Sequence, residues 1–246
     1  MKKVAIIGLG WLGMPLALAL AARGWQVTGS KTTPDGVEAA RRCGIDAVQL
    51  RLTPETECDA EDLAMLFSVD ALVVTLPASR TAEGGESYMQ AVQNVVNSAL
   101  QPETVAGKTL AELESWLHDL PGTQVDILRL AGLVGPSRHP GRFLAGKTGL
   151  SNGSHGVNLV HLDDVVSAIT LLLQTPKGGR VYNLCAPKHP SRDAFYRAVS
   201  RQLGLTPPTF LPSPSGETGK LIDGSRICNE LGFEYSYDDP AKMPLA

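Results

Sequence analysis

The sequence predicts an α/β fold, a doubly wound parallel sheet with a small C-terminal lobe. Two observations lead there. Short aliphatic runs that suit buried strands alternate with segments of helical periodicity along almost the whole chain. A Gly-x-Gly-x-x-Gly string stands where the first strand meets the first helix. A length of 246 residues suits one domain with an extension. A composition 43% hydrophobic and 19% charged supports a sizeable core and excludes global disorder.

Lys3 to Ile7 reads as a strand buried on both faces. Trp11 to Arg23 follows as a helix closed by Gly24. Trp25 to Ser30 is a second strand. Thr33-Pro34-Asp35-Gly36 opens a helix that runs to about Cys43 and stops at Gly44, and a strand follows near Ile45 to Leu50. A helix near Asp59 to Phe67 leads to the strand Ala71 to Leu76, which Pro77 ends. Ser87 to Leu100 carries apolar residues at Met89, Val92, Val95, Val96, Ala99 and Leu100, a helical spacing. A further helix is expected from about Lys108 to Leu117, a strand over Val125 to Leu130, and loop over most of Gly135 to Gly156. A short strand at Val157 to Val160, a helix at Asp163 to Gln174, a strand at Arg180 to Leu184, a helix at Ser191 to Leu203 and a short helix at Ser225 to Leu231 complete the order. The expected division is a dinucleotide-binding core over 1–135. Residues 136–246 would complete the sheet and form a small substrate lobe.

One beat of the alternation is absent. The helix over 87–100 is followed directly by the helix over 108–117, and Gln101 to Gly107 holds no strand-like run. Either a central strand has been lost, or residues are absent near Leu100 and Gln101.

Gly8-Leu9-Gly10-Trp11-Leu12-Gly13 lies in the context that a Rossmann phosphate-binding turn requires, after a strand and opening a helix. The first glycine permits the tight turn, the second lets a pyrophosphate approach the backbone, and the third lets the helix pack closely on its strand. Unpaired N–H groups and the helix dipole then hold the phosphates. The same run, Val4 to Ala22 behind Lys2 and Lys3, has the look of a secretory leader with Ala19-Leu20-Ala21 as a cleavage site. The three glycines favour the strand–turn–helix reading and a cytoplasmic protein. At the end of the second strand a carboxylate would mark NAD. Here the stretch is Ser30-Lys31-Thr32-Thr33, a cation among hydroxyls, which suits a 2′-phosphate and favours NADP over NAD. The cofactor-binding set is Gly8, Leu9, Gly10, Trp11, Leu12, Gly13, Ser30, Lys31, Thr32, Leu76 and Pro77, at the ends of the first, second and fourth strands.

Four later segments resemble, in order, motifs of the extended short-chain dehydrogenase/reductase family, the NAD-dependent epimerase/dehydratase group. They are Arg129 to Pro136 (R-L-A-G-L-V-G-P), Val157 to Val165 (V-N-L-V-H-L-D-D-V), Gly179 to Asn183 (G-R-V-Y-N) and Ser225 to Gly232. The resemblance implies the Rossmann fold, a nicotinamide cofactor and epimerase, dehydratase or reductase chemistry. It also implies a Tyr-x-x-x-Lys pair on the helix over 108–117 and a Ser or Thr on the strand before it. The matching positions hold Ala106 and Leu110, and the strand is the absent one. Lys108 lies two residues off that register. The opening Ile6 to Pro15 is also similar to that of β-hydroxyacid dehydrogenases, whose all-helical C-terminal domain the pattern here does not predict.

The remaining candidates read mainly as structure. Asp163 and Asp164 fall where they charge a helix start, and His161 reads as a packed histidine. Arg138, His139 and Arg142 lie in a loop suited to an anionic group. No catalytic set and no metal-ligand cluster is complete. The four cysteines form no C-x-x-C pair, and a formal charge of −3 gives no basic excess for nucleic acid. The expected protein is therefore an NADP-binding, epimerase/dehydratase-like one without the Tyr/Lys pair, or a non-catalytic NADP sensor or scaffold. It takes a small-molecule substrate or ligand, has no nucleic-acid or membrane partner, and is compatible with a homodimer.

Overall fold

The computed structural model describes residues 2–52, 58–76, 91–93, 95–96, 110–212 and 218–245. The chain divides into two compact units, 1–123 and 124–246.

In the first unit the aliphatic opening forms β1 (Lys3–Ile7), with Val4 to Ile7 wholly buried. The run that has the look of a leader is thus the centre of a sheet. Its helical part is α1 (Gly13–Ala21), which buries Leu16, Ala17 and Leu20. Gly24, at φ +80°, turns the chain into β2 (Gln26–Lys31). α2 (Pro34–Arg42) starts where the Gly36 N–H donates to Thr33 Oγ1 at 3.2 Å. Asp35 in its first turn and Arg41 and Arg42 in its last complement the helix dipole. β3 (Asp46–Gln49), α3 (Ala60–Phe67) and β4 (Ala71–Val74) follow. The four strands form one parallel ladder in the order β3-β2-β1-β4, with Val4 beside both Val27 and Ala71. This is the order of a nucleotide-binding half-sheet, and its crevice lies at the carboxyl ends of β1 and its neighbours. Ala5, Ile7, Val48, Leu50, Leu66 and Val95 form the core beneath it. α4 (Leu110–His118) closes the unit.

The second unit holds β5 (Asp126–Leu130), β6 (Gly132–Val134), β7 (Leu159–His161), α5 (Leu162–Gln174), β8 (Arg180–Leu184), α6 (Arg192–Gln202) and α7 (Arg226–Leu231). β5 pairs with β8 and β6 with β7, both in parallel. At the start of the first pair Arg180 and Asp126 form a buried ion pair, with Arg180 Nε donating to Asp126 Oδ1 at 2.8 Å. A loop over 146–150 runs beside 206–211, joined by Gly146 N–H to Thr206 O and Leu211 N–H to Leu150 O.

The expected single sheet is therefore described as three parallel ladders, and among the described residues β4 pairs with β1 and β5 with β8. β6 was not anticipated. It has three residues bounded by Ala131 and Gly135, too short for a periodic signal. The strand expected over 157–160 lies instead at Leu159–His161. The Leu100–Gln101 join and most of the helix over 87–100 lie outside the described residues, although 91–93 and 95–96 are helical.

Candidate cofactor-binding site

Each glycine of the turn after β1 has a distinct physical role. Gly8 sits at φ +100°, a conformation that L side chains rarely adopt. A Cβ on Gly13 would lie 2.1 Å from the Gly8 carbonyl oxygen and 3.0 Å from Thr75 Oγ1. Only glycine lets α1 approach the strand this closely. A Cβ on Gly10 would meet nothing within 4 Å, so that backbone faces open space. This is the arrangement a pyrophosphate needs: a fixed turn, a close-packed helix and one exposed backbone position. α1 has no side-chain cap and no acidic residue in its first turn, so neither a capping side chain nor a first-turn carboxylate competes there with an anion. Pro15 sits at the third helical position, where its missing N–H has no intrahelical acceptor to lose.

The turn is held from two sides. The Gly8 N–H donates to Ser30 Oγ at 3.1 Å, and the Leu9 N–H donates to the Ser30 carbonyl at 2.9 Å. On the other side Thr75 Oγ1 donates to the Gly8 carbonyl at 2.7 Å and lies 3.2 Å from the Ile7 carbonyl. Thr75 escaped the sequence reading because a threonine at a strand end has no special signature. The Leu9 side chain is wholly buried against Gly29, so its part in the site is backbone. Trp11 and Leu12 are half-buried at the mouth of α1.

The structure brings Ser30, Lys31 and Thr32 together at the end of β2. Ser30 is buried, Lys31 half-buried and Thr32 exposed. The Lys31 stem lies over Gly36, whose Cβ would come 3.3 Å from Lys31 Cδ. From the end of β3, Gln49 Nε2 and Arg51 Nε each donate to the Thr32 carbonyl at 3.2 Å. Leu76 is half-buried near Gly8, where a Cβ would meet its Cδ2 at 3.4 Å. Pro77, Ala106 and Lys108 lie outside the described residues, and Leu110 opens α4.

In the second unit the polar residues His161, Asp164 and His139 serve packing. His161 is 1% exposed. Its Nε2–H donates to the Pro244 carbonyl at 2.8 Å, and its Nδ1 accepts the Asp163 N–H at 3.2 Å. Asp164 accepts the Ser236 N–H at 2.7 Å and the Tyr237 N–H at 3.3 Å. Burial pushes its carboxyl up from the ordinary value, against those two hydrogen bonds. Together they tie the C-terminal segment to the start of α5. His139 accepts the Gly141 N–H through Nδ1 at 3.0 Å and caps a 3-10 turn over Pro140–Arg142. Burial first, then the nearby Arg142 charge, lowers its pKa.

Residues 3–101 match the NAD-binding domain of 6-phosphogluconate dehydrogenase, which supports a nicotinamide cofactor for the first unit. That accords with the β-hydroxyacid-type opening, whereas the second unit has parallel strands rather than an all-helical domain. The fold is shared with a UDP-glucose 4-epimerase from Thermotoga maritima, solved with UDP-glucose (TM-score 0.71, 15% identity, 99% of this chain and 97% of that one). It is shared too with the Bordetella bronchiseptica enzyme WbmG in complex with NAD (TM-score 0.72, 17% identity, 98% and 91%). No described helix is long and apolar enough to cross a membrane. Protein YeeZ of Escherichia coli K12 is 61% identical, covering 100% of both chains. That alignment runs over 274 positions against 246 residues here, so the relative has positions without a counterpart in this chain. On that identity, in a Rossmann fold shared with NAD-dependent epimerases and short-chain dehydrogenase/reductases, the chain belongs to the YeeZ family.

Proposed function

We propose that the chain binds NADP(H) in its first unit and does so without the ordinary hydride-transfer chemistry of short-chain dehydrogenase/reductases. The observation that carries the cofactor choice is the end of β2. The position where a carboxylate would accept ribose hydroxyls is Ser30, whose oxygen already accepts the Gly8 N–H, and Lys31 follows it. A hydroxyl and a cation favour a phosphate there, where a carboxylate would repel it. The residues that would hold the cofactor are Gly8, Gly10 and Gly13 with the α1 N-terminus for the pyrophosphate, and Ser30, Lys31 and Thr32 for the ribose phosphate. When bound, the group supplies a hydride donor or acceptor.

At the two positions where the resemblance implies the Tyr/Lys pair, the sequence supplies no acid. Ala106 has no proton to give, and Leu110 can neither lower a neighbour's pKa nor donate to a ribose hydroxyl. This favours a second reading beside a reduced or altered epimerase-like activity: a cytoplasmic NADP(H) sensor or scaffold that responds to cofactor without turning over. The ligand of the second unit is a small molecule, and a homodimer is the assembly the reading allows. Thermal-shift measurements with NADP(H), NAD(H) and nucleotide sugars test the reading, because a ligand that binds the native state raises the midpoint by mass action. The expected result is a larger shift with NADPH than with NADH at equal concentration. A shift with neither dinucleotide would overturn it.

A further inference from the structure

Past the carboxyl end of β8 the chain passes through Pro187 and His189, which line a cavity of about 260 Å³ with Leu221, Ile222, Asp223 and Tyr235. Carboxyl ends of parallel strands are where such sheets take ligands. The wall over 220–224 is fixed before any ligand arrives. Asn158 Oδ1 accepts the Ile222 N–H at 2.8 Å, and Asn158 Nδ2 donates to the Lys220 carbonyl at 2.9 Å. Tyr235 Oη accepts the Cys185 N–H at 3.2 Å and donates to the Gly224 carbonyl at 3.0 Å. Pro187, Leu221 and Ile222 supply apolar surface, and the titratable groups among them are acceptors. A carbonyl can only accept, so His189 donates through its Nδ1–H to the Val157 carbonyl at 3.0 Å, and in the neutral ring Nε2 carries the lone pair. Asp223 Oδ1 accepts the Ser225 N–H at 2.8 Å. The Ser225 hydroxyl first, then that N–H, holds the Asp223 carboxyl below its ordinary value. No Lys or Arg is among the described residues that line the cavity. The neighbouring cations are committed elsewhere, Lys188 to Asp238 at 2.8 Å and Arg226 to Glu230 at 2.7 Å.

We propose that this cavity binds a small organic ammonium ion, a primary amine with an apolar body, with the Asp223 carboxylate and His189 Nε2 as its acceptors. The inference rests on the reading that the second unit takes a small molecule, and gives that ligand a place and a charge. A primary ammonium carries three N–H donors and no acceptor, the complement of this lining. Its apolar body leaves water against Leu221 and Ile222. A phosphate or carboxylate would meet the Asp223 charge with no cation beside it to compensate.

Cys228 also lines the cavity, so its protection from alkylation reads occupancy without reference to any activity. The full chain is treated with iodoacetamide in the presence of benzylamine, benzyl alcohol or benzoate, three probes of one shape and different charge. Peptide mass spectrometry follows the rate at each cysteine, with the exposed Cys43 as control. Benzylamine at about ten times its Kd should slow Cys228 about tenfold by mass action and leave Cys43 unchanged. Benzyl alcohol and benzoate should need about tenfold more, or fail to protect. Asp223→Asn keeps an oxygen for the Ser225 N–H and should weaken benzylamine about three- to tenfold. His189→Asn, whose amide N–H can replace the Nδ1–H toward Val157, should weaken it too. Each variant is compared with itself without probe, and its urea midpoint shows that it folds. Equal protection by benzyl alcohol or benzoate would overturn the amine and leave a small-molecule site standing in the second unit. Unchanged benzylamine binding in Asp223→Asn would also overturn it. Protection by none of the three probes would overturn the site itself, and none of these outcomes touches the NADP(H) reading.

Discussion

Ser30 Oγ accepts the Gly8 N–H at 3.1 Å, so the residue that opens the phosphate turn is fastened to the residue at the ribose end of the neighbouring strand. In the proposed cofactor site one hydroxyl would thereby serve both halves. It fixes the turn and keeps its own proton to donate toward an incoming oxygen. A carboxylate at this end of the strand would accept from ribose hydroxyls instead and exclude a phosphate.

Exchange of the adjacent cation follows from this. Lys31→Asp should reverse the cofactor preference, since the new carboxylate repels the 2′-phosphate and accepts ribose hydroxyl bonds. Fluorescence titration of both dinucleotides against the variant reads it directly. An unchanged preference for NADPH would remove Lys31 from the subsite.

The second and third glycines should separate binding from folding. Gly10→Ala places a methyl in open space, so stability should stay within about 0.5 kcal/mol while dinucleotide affinity falls about tenfold or more. Gly13→Ala drives a methyl to 2.1 Å from the Gly8 carbonyl oxygen and should cost about 1–3 kcal/mol of stability in denaturant unfolding. If both variants lose affinity and stability alike, the division of roles between the two glycines is wrong.

The Arg180–Asp126 pair joins β8 to β5 at side-chain exposures of 8% and 16%. Asp126→Ala strands a buried guanidinium, which should cost about 3–5 kcal/mol, read as a fall in the urea midpoint of the second unit. Cofactor binding to the first unit should persist in this variant below its unfolding transition.

Asp164 supplies a pH dependence. Burial raises its carboxyl above the ordinary value, so the folded chain holds this proton more tightly than the unfolded one. Its contribution to stability is then fully present below about pH 3.9, the unfolded value, and is lost as pH rises through the folded value. Relative to Asp164→Asn, the unmodified chain should therefore lose stability as pH rises above the ordinary carboxyl value and through the raised folded one. A stability difference that is flat with pH, or that grows the other way, would mean that the Ser236 and Tyr237 N–H bonds outweigh burial.

Much of this architecture was legible because local chemistry and fold agree. Arg180–Leu184 appears at the residues expected, and β1, α2 and α7 within two. Val4 to Ile7 could only be a buried strand once the glycines after it were seen. Gly24, Gly44 and Gly232 stop their elements with φ of +80°, +81° and +66°. Less visible were features created by strands that meet far apart in sequence. Thr75 reaches Gly8 across 67 positions, and Asp164 reaches Ser236 across 72. Arg51 lies near Lys31 only because β2 and β3 pair in one register. Such contacts belong to the ladder rather than to any local pattern. β6 was hidden for another reason, since three residues cannot show a period of two.

The account turns on a cofactor that binds with its 2′-phosphate recognised, in a chain that has Ala106 where the resemblance to short-chain dehydrogenase/reductases implies a tyrosine. One stopped-cell experiment tests both parts. NADPH and NADH are titrated calorimetrically, and the nicotinamide absorbance of the NADPH-loaded protein is then followed with a panel of carbonyl compounds and nucleotide sugars. The account predicts saturable NADPH binding, about tenfold or more tighter than NADH, and a flat absorbance trace, because loss of general acid–base help removes about 10²- to 10⁴-fold in rate. Equal affinities for the two dinucleotides, or brisk NADPH oxidation that survives replacement of Lys108 and His161, would contradict it.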